Sequence, residues 1–242
     1  MKAQQYRLIY LLPNLFTAAS IFSAVVAITA AAGGEIAQGV GLIFLSLLFD
    51  GLDGRVARLT RTSSRFGVEF DSLADIVAFG VAPAMLLYFS VGVEYGRFGV
   101  LVAAWYIIFG AIRLARFNVM GSQADPSIFV GLPIPTAAVF LSIWILLAER
   151  YGALKSHGWI LLLLALATAL LMVSHIRYPS FKRVNFSKPM ALKLLVGLIV
   201  TASLLYLYPA EGVGVLVTLY LLGGVVRAAF NLLRRYGKRN KG

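Results

Sequence analysis

Four of the five aspartates in this chain lie within 26 residues, in the segment DGLDGRVARLTRTSSRFGVEFDSLAD. They are Asp50, Asp53, Asp71 and Asp75, and strongly apolar sequence flanks the segment on both sides. Carboxylates at or near a hydrocarbon layer are costly and usually functional, and four together repel one another unless cations neutralise them. The aspartate cluster therefore predicts a site for divalent metal.

The spacing of the aspartates predicts how they meet. The two apolar segments that carry them form a hairpin around the polar turn 60–66, and residues equidistant from such a turn lie at similar depth. Asp53 and Asp71 are centred on position 62, and Asp50 and Asp75 on position 62.5. Within each segment the two aspartates are three or four residues apart, so they share a helix face. We expect four convergent carboxylates.

The residue types favour phosphate chemistry at this site. Oxygen ligands without histidine or cysteine suit Mg²⁺, Mn²⁺ or Ca²⁺, and four carboxylates suit two metals, the arrangement that assists phosphoryl transfer. Gly54, Ala57 and Gly67 leave room for a ligand near the backbone. Arg58, two turns after Asp50, offers a guanidinium that can bind a diphosphate through two nitrogens. The alternative is a structural hairpin whose aspartates pair with its arginines.

Composition predicts the elements that position this site. The chain has 242 residues, of which 60% are hydrophobic and 13% charged, whereas a soluble domain carries about a quarter charged residues. We predict an all-α integral membrane protein with a single polytopic domain, 1–242, and a catalytic hairpin at about 37–91. About eight transmembrane helices are expected, at 10–32, 37–60, 69–91, 97–117, 132–149, 158–175, 191–208 and 213–234.

The basic residues predict the orientation. With the N-terminus in the cytosol, 19 of the 22 lysines and arginines fall on the cytosolic side and three on the other, as the positive-inside rule expects. Eight spans then place both termini and the aspartates on the cytosolic side of the cell's inner (cytoplasmic) membrane. The net charge of +12 fits topology and anionic membrane lipid better than nucleic acid.

The chain resembles the CDP-alcohol phosphatidyltransferase family in one motif, which matches the family signature at every position. The motif is Asp50-x2-Asp53-Gly54-x2-Ala57-Arg58-x8-Gly67-x3-Asp71-x3-Asp75. The apolar segments around it agree with that family's helical bundle. The resemblance implies a reaction in which a hydroxyl attacks the lipid-bearing phosphate of CDP-diacylglycerol and CMP leaves.

The resemblance also implies residue roles. Asp50 and Asp71 would be shared by two divalent cations, Mg²⁺ or Mn²⁺, with Asp53 completing one metal site and Asp75 the other. Asp75 would also be the catalytic base for the incoming hydroxyl. We expect seven residues to surround the CDP-lipid: Asn14, Thr17, Gly54, Ala57, Arg58, Ser64 and Gly67.

Three further segments predict the acceptor. PNLFT at 13–17, RLARFN at 113–118 and GLPIPTAA at 131–138 look like the corresponding segments of the family members that use L-serine. This resemblance implies that phosphatidylserine is formed, with Arg113, Arg116 and Asn118 binding the acceptor.

These segments have plainer readings as well. A proline can simply start a helix, which would explain Pro13, and Pro133 and Pro135 could either break a helix at the membrane surface or shape a re-entrant wall. The two arginines could be positive-inside anchors.

Other functions stay open at this point. A sister enzyme could use glycerol 3-phosphate, choline or an inositol phosphate as acceptor. A divalent-cation transporter could also carry intramembrane carboxylates, and would show metal flux without nucleotide. A catalytically inactive scaffold is a third reading, although every signature position is intact. The sequence leaves a homodimer open.

Overall fold

The computed structural model describes residues 2–60, 62, 64–120, 128–152, 156–179 and 188–239. Helices dominate this part of the chain. In order, the elements are α1 (Lys2–Ala32), α2 (Ile36–Thr60), α3 (Arg65–Asp75), a π-helical segment (Ile76–Val81), α4 (Ala82–Ser90), a 3₁₀ turn (Gly92–Tyr95), α5 (Arg97–Met120), β1 (Ile128–Val130), α6 (Ile134–Arg150), α7 (Gly158–Val173), β2 (Arg177–Pro179), α8 (Lys188–Leu207) and α9 (Pro209–Arg239).

Five segments of the described chain are long and apolar enough to cross a membrane. They are Leu11–Ala32, Ile36–Thr60, Arg65–Ser90, Arg97–Val119 and Pro209–Phe230. Helices α6 and α7 have 17 and 16 residues, or about 25 Å of length, against a hydrocarbon core of about 30 Å. The predicted helical membrane fold is confirmed, whereas the number of eight crossings stays a prediction.

The prolines lie where the sequence allowed two readings. Pro13 is inside α1, which begins at Lys2, so the reading that Pro13 starts a helix is wrong. Pro133 is the residue before α6, and Pro135 lies in its first turn, where the missing N–H costs no helical hydrogen bond. This pair therefore marks a helix start, the first of the two readings.

Small and hydroxyl side chains join α1 to α2. Ser20 and Ser46 are buried, and their hydroxyl oxygens lie 2.7 Å apart. The Ser46 hydroxyl also donates to the Ser20 carbonyl at 2.8 Å. At Gly39 an added Cβ would lie 2.7 Å from Leu86 and 3.1 Å from the Ala27 carbonyl. Close backbone approach and hydroxyl hydrogen bonds are typical of helix association in membranes, and here they fix the first half of the hairpin.

The π-helical segment begins directly after Asp75 in the second half of the hairpin. The Ala82 N–H donates to the Val77 carbonyl, five residues back. Pro83 follows in the first turn of α4 and has no N–H to continue a regular ladder. Single π-turns inside α-helices occur often at functional sites. This one follows the aspartates directly and itself enters the packed core through Phe79.

A short two-stranded ribbon was not predicted. Strand β1, in the connection after α5, pairs antiparallel with β2, in the connection after α7, and Phe129 lies opposite Tyr178. The ribbon brings two connections that are distant in sequence to the same end of the bundle, and Tyr178 is fully buried against the helices.

Candidate active site

A cavity of about 210 Å³ lies between α1, the end of α2 and the start of α3. All seven residues that we expected to surround a CDP-lipid line this cavity: Asn14, Thr17, Gly54, Ala57, Arg58, Ser64 and Gly67. Asp53 and Asp71 lie in its wall. Pro13, Thr62 and Val68 complete the wall and were not predicted, although Thr62 lies in the polar turn of the hairpin.

The aspartates converge as the hairpin spacing predicts. Asp50, Asp53 and Asp71 each offer a carboxylate oxygen, and these oxygens lie within 4.8 Å of one another. Asp75 lies against Asp50, and its Oδ1 is buried with no hydrogen-bond partner in the described structure. Three carboxylates therefore form one cluster, and the fourth is next to it, one helical turn deeper on α3.

The donor set fits a hard divalent cation. The converging atoms are all carboxylate oxygens, which Mg²⁺ and Mn²⁺ prefer. Within the described residues none of the four aspartates forms an ion pair, since the salt bridge found there joins Arg150 to Glu211 at the far end of the bundle. The structure therefore does not support the alternative of a hairpin held together by aspartate–arginine salt bridges.

Thr17 supports the metal cluster from α1. Its hydroxyl donates to Asp53 Oδ2 at 2.7 Å and lies 3.2 Å from the Pro13 carbonyl oxygen. Both Thr17 and Asp53 are buried, so the bond fixes the carboxylate in a single orientation. Thr17 was predicted to contact the CDP-lipid, and the structure also places it directly on an expected metal ligand.

Removing the Thr17 hydroxyl should weaken metal binding. Outer-shell partners of metal ligands contribute about 10- to 100-fold in affinity. We expect Thr17→Val to raise the metal concentration for half-maximal activity by about this factor, while Thr17→Ser stays close to wild type. A metal titration of activity measures both variants. An unchanged titration for Thr17→Val would show that the bond does not tune the site.

Two glycines keep the cavity open. An added Cβ at Gly67 would lie 3.2 Å from the Ser64 hydroxyl and 3.4 Å from the Asn14 side-chain oxygen. At Gly54 it would lie 3.4 Å from a guanidinium nitrogen of Arg58. Ser64 has a second role that the sequence analysis missed, because its hydroxyl caps α3 by accepting the Gly67 N–H at 3.0 Å.

The residues predicted to bind the acceptor have different surroundings. The Arg116 guanidinium donates to the carbonyls of Val130, Met172, Val173 and Ser174 at 3.0–3.3 Å. It therefore ties the end of β1 to the end of α7. These bonds occupy both terminal nitrogens of Arg116, which the sequence analysis did not anticipate.

Arg113 and Asn118 are closer to the aspartates. Arg113 is only 6% exposed, and its guanidinium lies 5.3 Å from the centre of the Phe117 ring. It is within electrostatic range of Asp75. Asn118 donates to the Ser72 hydroxyl at 2.9 Å, so it reaches the residue that follows Asp71. A buried cation within electrostatic range of the deepest aspartate can bind an anionic group.

Comparison with known proteins decides the family. The family model for "CDP-alcohol phosphatidyltransferase" matches residues 10–173, which run from within α1 to the end of α7 and include all four aspartates of the hairpin. The chain belongs to this family. Seven of the eight signature residues, all except Asp75, line the cavity or form the carboxylate cluster.

Two relatives of known name match more than two thirds of the chain. A CDP-diacylglycerol–serine O-phosphatidyltransferase of Helicobacter pylori (strain J99) is 46% identical over 239 residues, which cover 96% of this chain and 97% of that protein. An archaetidylserine synthase of Methanothermobacter thermautotrophicus is 37% identical over 170 residues, 69% of each chain.

A solved structure has the same fold. The crystal structure of Mycobacterium tuberculosis phosphatidylinositol phosphate synthase with CDP-DAG bound has a TM-score of 0.51 with this chain. The match covers 74% of this chain and 92% of that one at 20% identity. The likeness therefore supports the helical fold of the CDP-alcohol phosphatidyltransferase family.

Proposed function

We propose that the chain transfers the phosphatidyl group of CDP-diacylglycerol to the hydroxyl of L-serine, giving phosphatidylserine and CMP. The observation that carries this proposal is the cavity in which all seven expected CDP-lipid residues surround two of the clustered aspartates. The names of the relatives, which specify serine transfer, support the choice of acceptor.

The cavity suits a nucleotide diphosphate. Arg58 lines it with a guanidinium that can bind phosphate oxygens in a bidentate way, and Gly54 leaves space beside it. The first turn of α3 also borders the cavity through Ser64 and Gly67, and helix N-termini favour phosphate through their free N–H groups. Asn14 and Thr17 on α1 form the opposite wall, where we place the cytidine end of the substrate.

The aspartates would hold two divalent cations. Asp50 and Asp71 would be shared, with Asp53 and Asp75 completing the two sites. When bound, Mg²⁺ or Mn²⁺ would neutralise the diphosphate and stabilise the charge on the departing CMP. Thr17 holds Asp53 in place for this role.

Asp75 would act as the general base. Its Oδ1 has no hydrogen-bond partner among the described residues, so it can accept the proton of the serine hydroxyl. The hydroxyl oxygen forms a new bond to the lipid-bearing phosphorus, and the bond from that phosphorus to the CMP oxygen breaks.

Arg113 is the better-placed cation for the serine carboxylate. It is buried near Asp75, whereas Arg116 already donates to four carbonyls. A phosphorylated acceptor would need more positive charge around its phosphate. Among the described residues, Arg113 is the one guanidinium near Asp75 that is not already bonded to backbone carbonyls. Asn118, which bonds to Ser72, would border the acceptor from the other side.

The membrane arrangement follows from the charge distribution. We place both termini and the aspartate site on the cytosolic side of the inner membrane, with eight crossings in total, because the lysines and arginines then obey the positive-inside rule. Serine and CMP would exchange with the cytosol, and the lipid chains would enter from the inner leaflet. The proposal leaves the enzyme free to act as a monomer or a homodimer.

A CMP-release assay tests the proposal. Purified protein in detergent receives CDP-diacylglycerol and Mg²⁺ or Mn²⁺, with L-serine, glycerol 3-phosphate, choline or inositol 1-phosphate supplied separately. We expect release with L-serine alone. Release with a different acceptor would keep the CDP-lipid site and overturn the choice of serine.

A flux measurement tests the rival from another class. The protein is reconstituted in vesicles that contain a divalent-sensitive dye. Entry of Mn²⁺ is followed by the dye signal in the absence of nucleotide. We expect no entry above that of empty vesicles. Metal entry combined with no CMP release from any acceptor would favour the transporter.

A further inference from the structure

The carboxyl end of α7 is bonded by two other segments of the chain. A helix leaves its last four carbonyls without partners inside the helix, and in α7 these are the carbonyls of residues 171–174. The Leu132 N–H donates to the Leu171 carbonyl at 3.0 Å. The Arg116 guanidinium donates to the remaining three at 3.0–3.3 Å. Groups from outside the helix therefore bond all four carbonyls of this helix end.

Gly131 brings the segment after β1 against the same helix end. Its φ of +79° is in the left-handed region that favours glycine, and its N–H donates to the Ile176 carbonyl at 2.8 Å. An added Cβ would collide with the Met172 carbonyl and lie 2.7 Å from a guanidinium nitrogen of Arg116. That nitrogen also bonds the Val130 carbonyl at 3.1 Å. Arg116, Gly131 and the end of α7 thus form one joint, which we call the α7 joint.

The α7 joint unites two segments that the sequence analysis treated separately. Arg116 belongs to RLARFN at 113–118, and Gly131 belongs to GLPIPTAA at 131–138. Neither is among the described residues that line the CDP-lipid cavity. Because the terminal nitrogens of Arg116 bond four backbone carbonyls, its charge is already used within the protein.

The α7 joint is connected to the helix of the aspartates on two sides. Ile134, at the start of α6, is fully buried, and its Cδ1 would be 3.7 Å from a Cβ added to Gly80 of the π-helical segment. Asn118, near the end of α5, donates to the Ser72 hydroxyl at 2.9 Å. One contact is made at residue 72 and the other at residue 80, and Asp75 lies between them.

We propose that Arg116 is a positioning residue. It caps the carboxyl end of α7, fixes the segment 130–134 against that end, and so keeps the helix that carries Asp75 in place for the transfer. A cation at a helix carboxyl end is also favoured by the helix dipole. The kinetic part of this inference rests on the proposed function. Arg116 thereby leaves the set of acceptor ligands, and Arg116 and Gly131 share one role.

The test replaces Arg116 with glutamine and with lysine. Glutamine removes the charge and offers fewer donors, whereas lysine keeps the charge on a single ammonium group. Arg97→Gln is the matched control, because Arg97 is an exposed arginine at the other end of the same helix. Amide hydrogen exchange follows the peptides at 128–134 and 69–76. CMP release is measured with L-serine and CDP-diacylglycerol varied separately.

We expect Arg116→Gln to speed amide exchange in both peptides about tenfold, as for loss of one hydrogen bond to a charged group. It should lower kcat by about 10- to 100-fold, since a small displacement of a catalytic group can cost that much. KM for each substrate should stay within about threefold of wild type, as for an effect on the transition state alone. Arg116→Lys should lie between wild type and Arg116→Gln, and Arg97→Gln should change nothing.

The exchange and kinetic results have to change together. A rise of about tenfold in KM for L-serine with unchanged kcat and exchange would make Arg116 an acceptor ligand and overturn the inference. So would an unchanged kcat, or faster exchange throughout the chain, since a general loss of stability is not confined to the joint. Failure of the proposed function would instead be visible in the wild type, as an absence of serine-dependent CMP release.

Gly131→Ala tests the α7 joint from its other side. It should reproduce the loss of kcat, and its effect combined with Arg116→Gln should be clearly less than additive, because residues that act together are not independent. Gly34→Ala is the matched control, since Gly34 has a left-handed φ of +85° but an added Cβ would meet no described atom within 4 Å. Full additivity, or an equal loss of kcat in Gly34→Ala, would contradict the pairing of Arg116 with Gly131.

Discussion

Replacing Asp75 with asparagine is expected to lower kcat for CMP release by about 10²- to 10⁴-fold, the contribution of a positioned general base. Asp75 lies against Asp50 and has a buried oxygen without a partner. The asparagine has nearly the same shape but cannot accept the serine proton in the same way. Initial rates at saturating L-serine and CDP-diacylglycerol measure the effect.

The matched control for Asp75→Asn is Glu69→Gln. Glu69 is an exposed carboxylate on the same helix, and the substitution makes the same chemical change away from the cluster, so its rate should stay within about twofold of wild type. Because Asp75 is also an expected metal ligand, both variants are compared at saturating metal. Near-normal kcat for Asp75→Asn under those conditions would remove Asp75 from the role of base.

Removing divalent metal should abolish CMP release altogether. The three clustered carboxylates, with oxygens within 4.8 Å of one another, repel one another and the substrate diphosphate unless cations are present. We expect EDTA to reduce the rate to background and Mg²⁺ or Mn²⁺ to restore it. Asp71→Asn should raise the metal concentration for half-maximal activity by at least about 100-fold, since direct ligands matter at least as much as outer-shell groups.

Two measurements make the metal prediction specific. Isothermal titration with Mn²⁺ in the absence of substrate should show binding to wild type and Glu69→Gln, and strongly weakened binding to Asp71→Asn. Full activity in EDTA, or equal metal dependence of wild type and Asp71→Asn, would contradict a metal role for this cluster.

The hairpin was the part of the site most open to prediction. Once two helices are known to be antiparallel with a short turn, the pairing of Asp53 with Asp71 follows from counting residues, and the cluster in the structure agrees. The lining of the cavity was predictable for a related reason, since the signature residues fall on facing sides of the same two helices. Thr17 came from a separate segment on α1, and its bond to Asp53 needed the three-dimensional packing.

Longer-range features could not be read from sequence. The strands of the ribbon have three residues each, too few for an alternating pattern, and their pairing depends on how α5 and α7 end. The carbonyl partners of Arg116 follow from the same arrangement. A basic residue at a helix end has the same sequence signature whether it binds backbone, ligand or lipid, so Arg113 and Arg116 could not be told apart.

Residues 65–90 must both direct the aspartates toward α2 and pack the rest of the helix against the core. The π-helical segment after Asp75 lies between these two parts. Inserting a residue into a regular α-helix rotates everything beyond it by about 100°, which would turn either the carboxylates or the packing surface the wrong way. A widened turn between Asp75 and Pro83 absorbs such a rotation locally. The lipid-spanning half of the helix can therefore diverge in length and contacts over evolutionary time, while the aspartates keep their registration with α2.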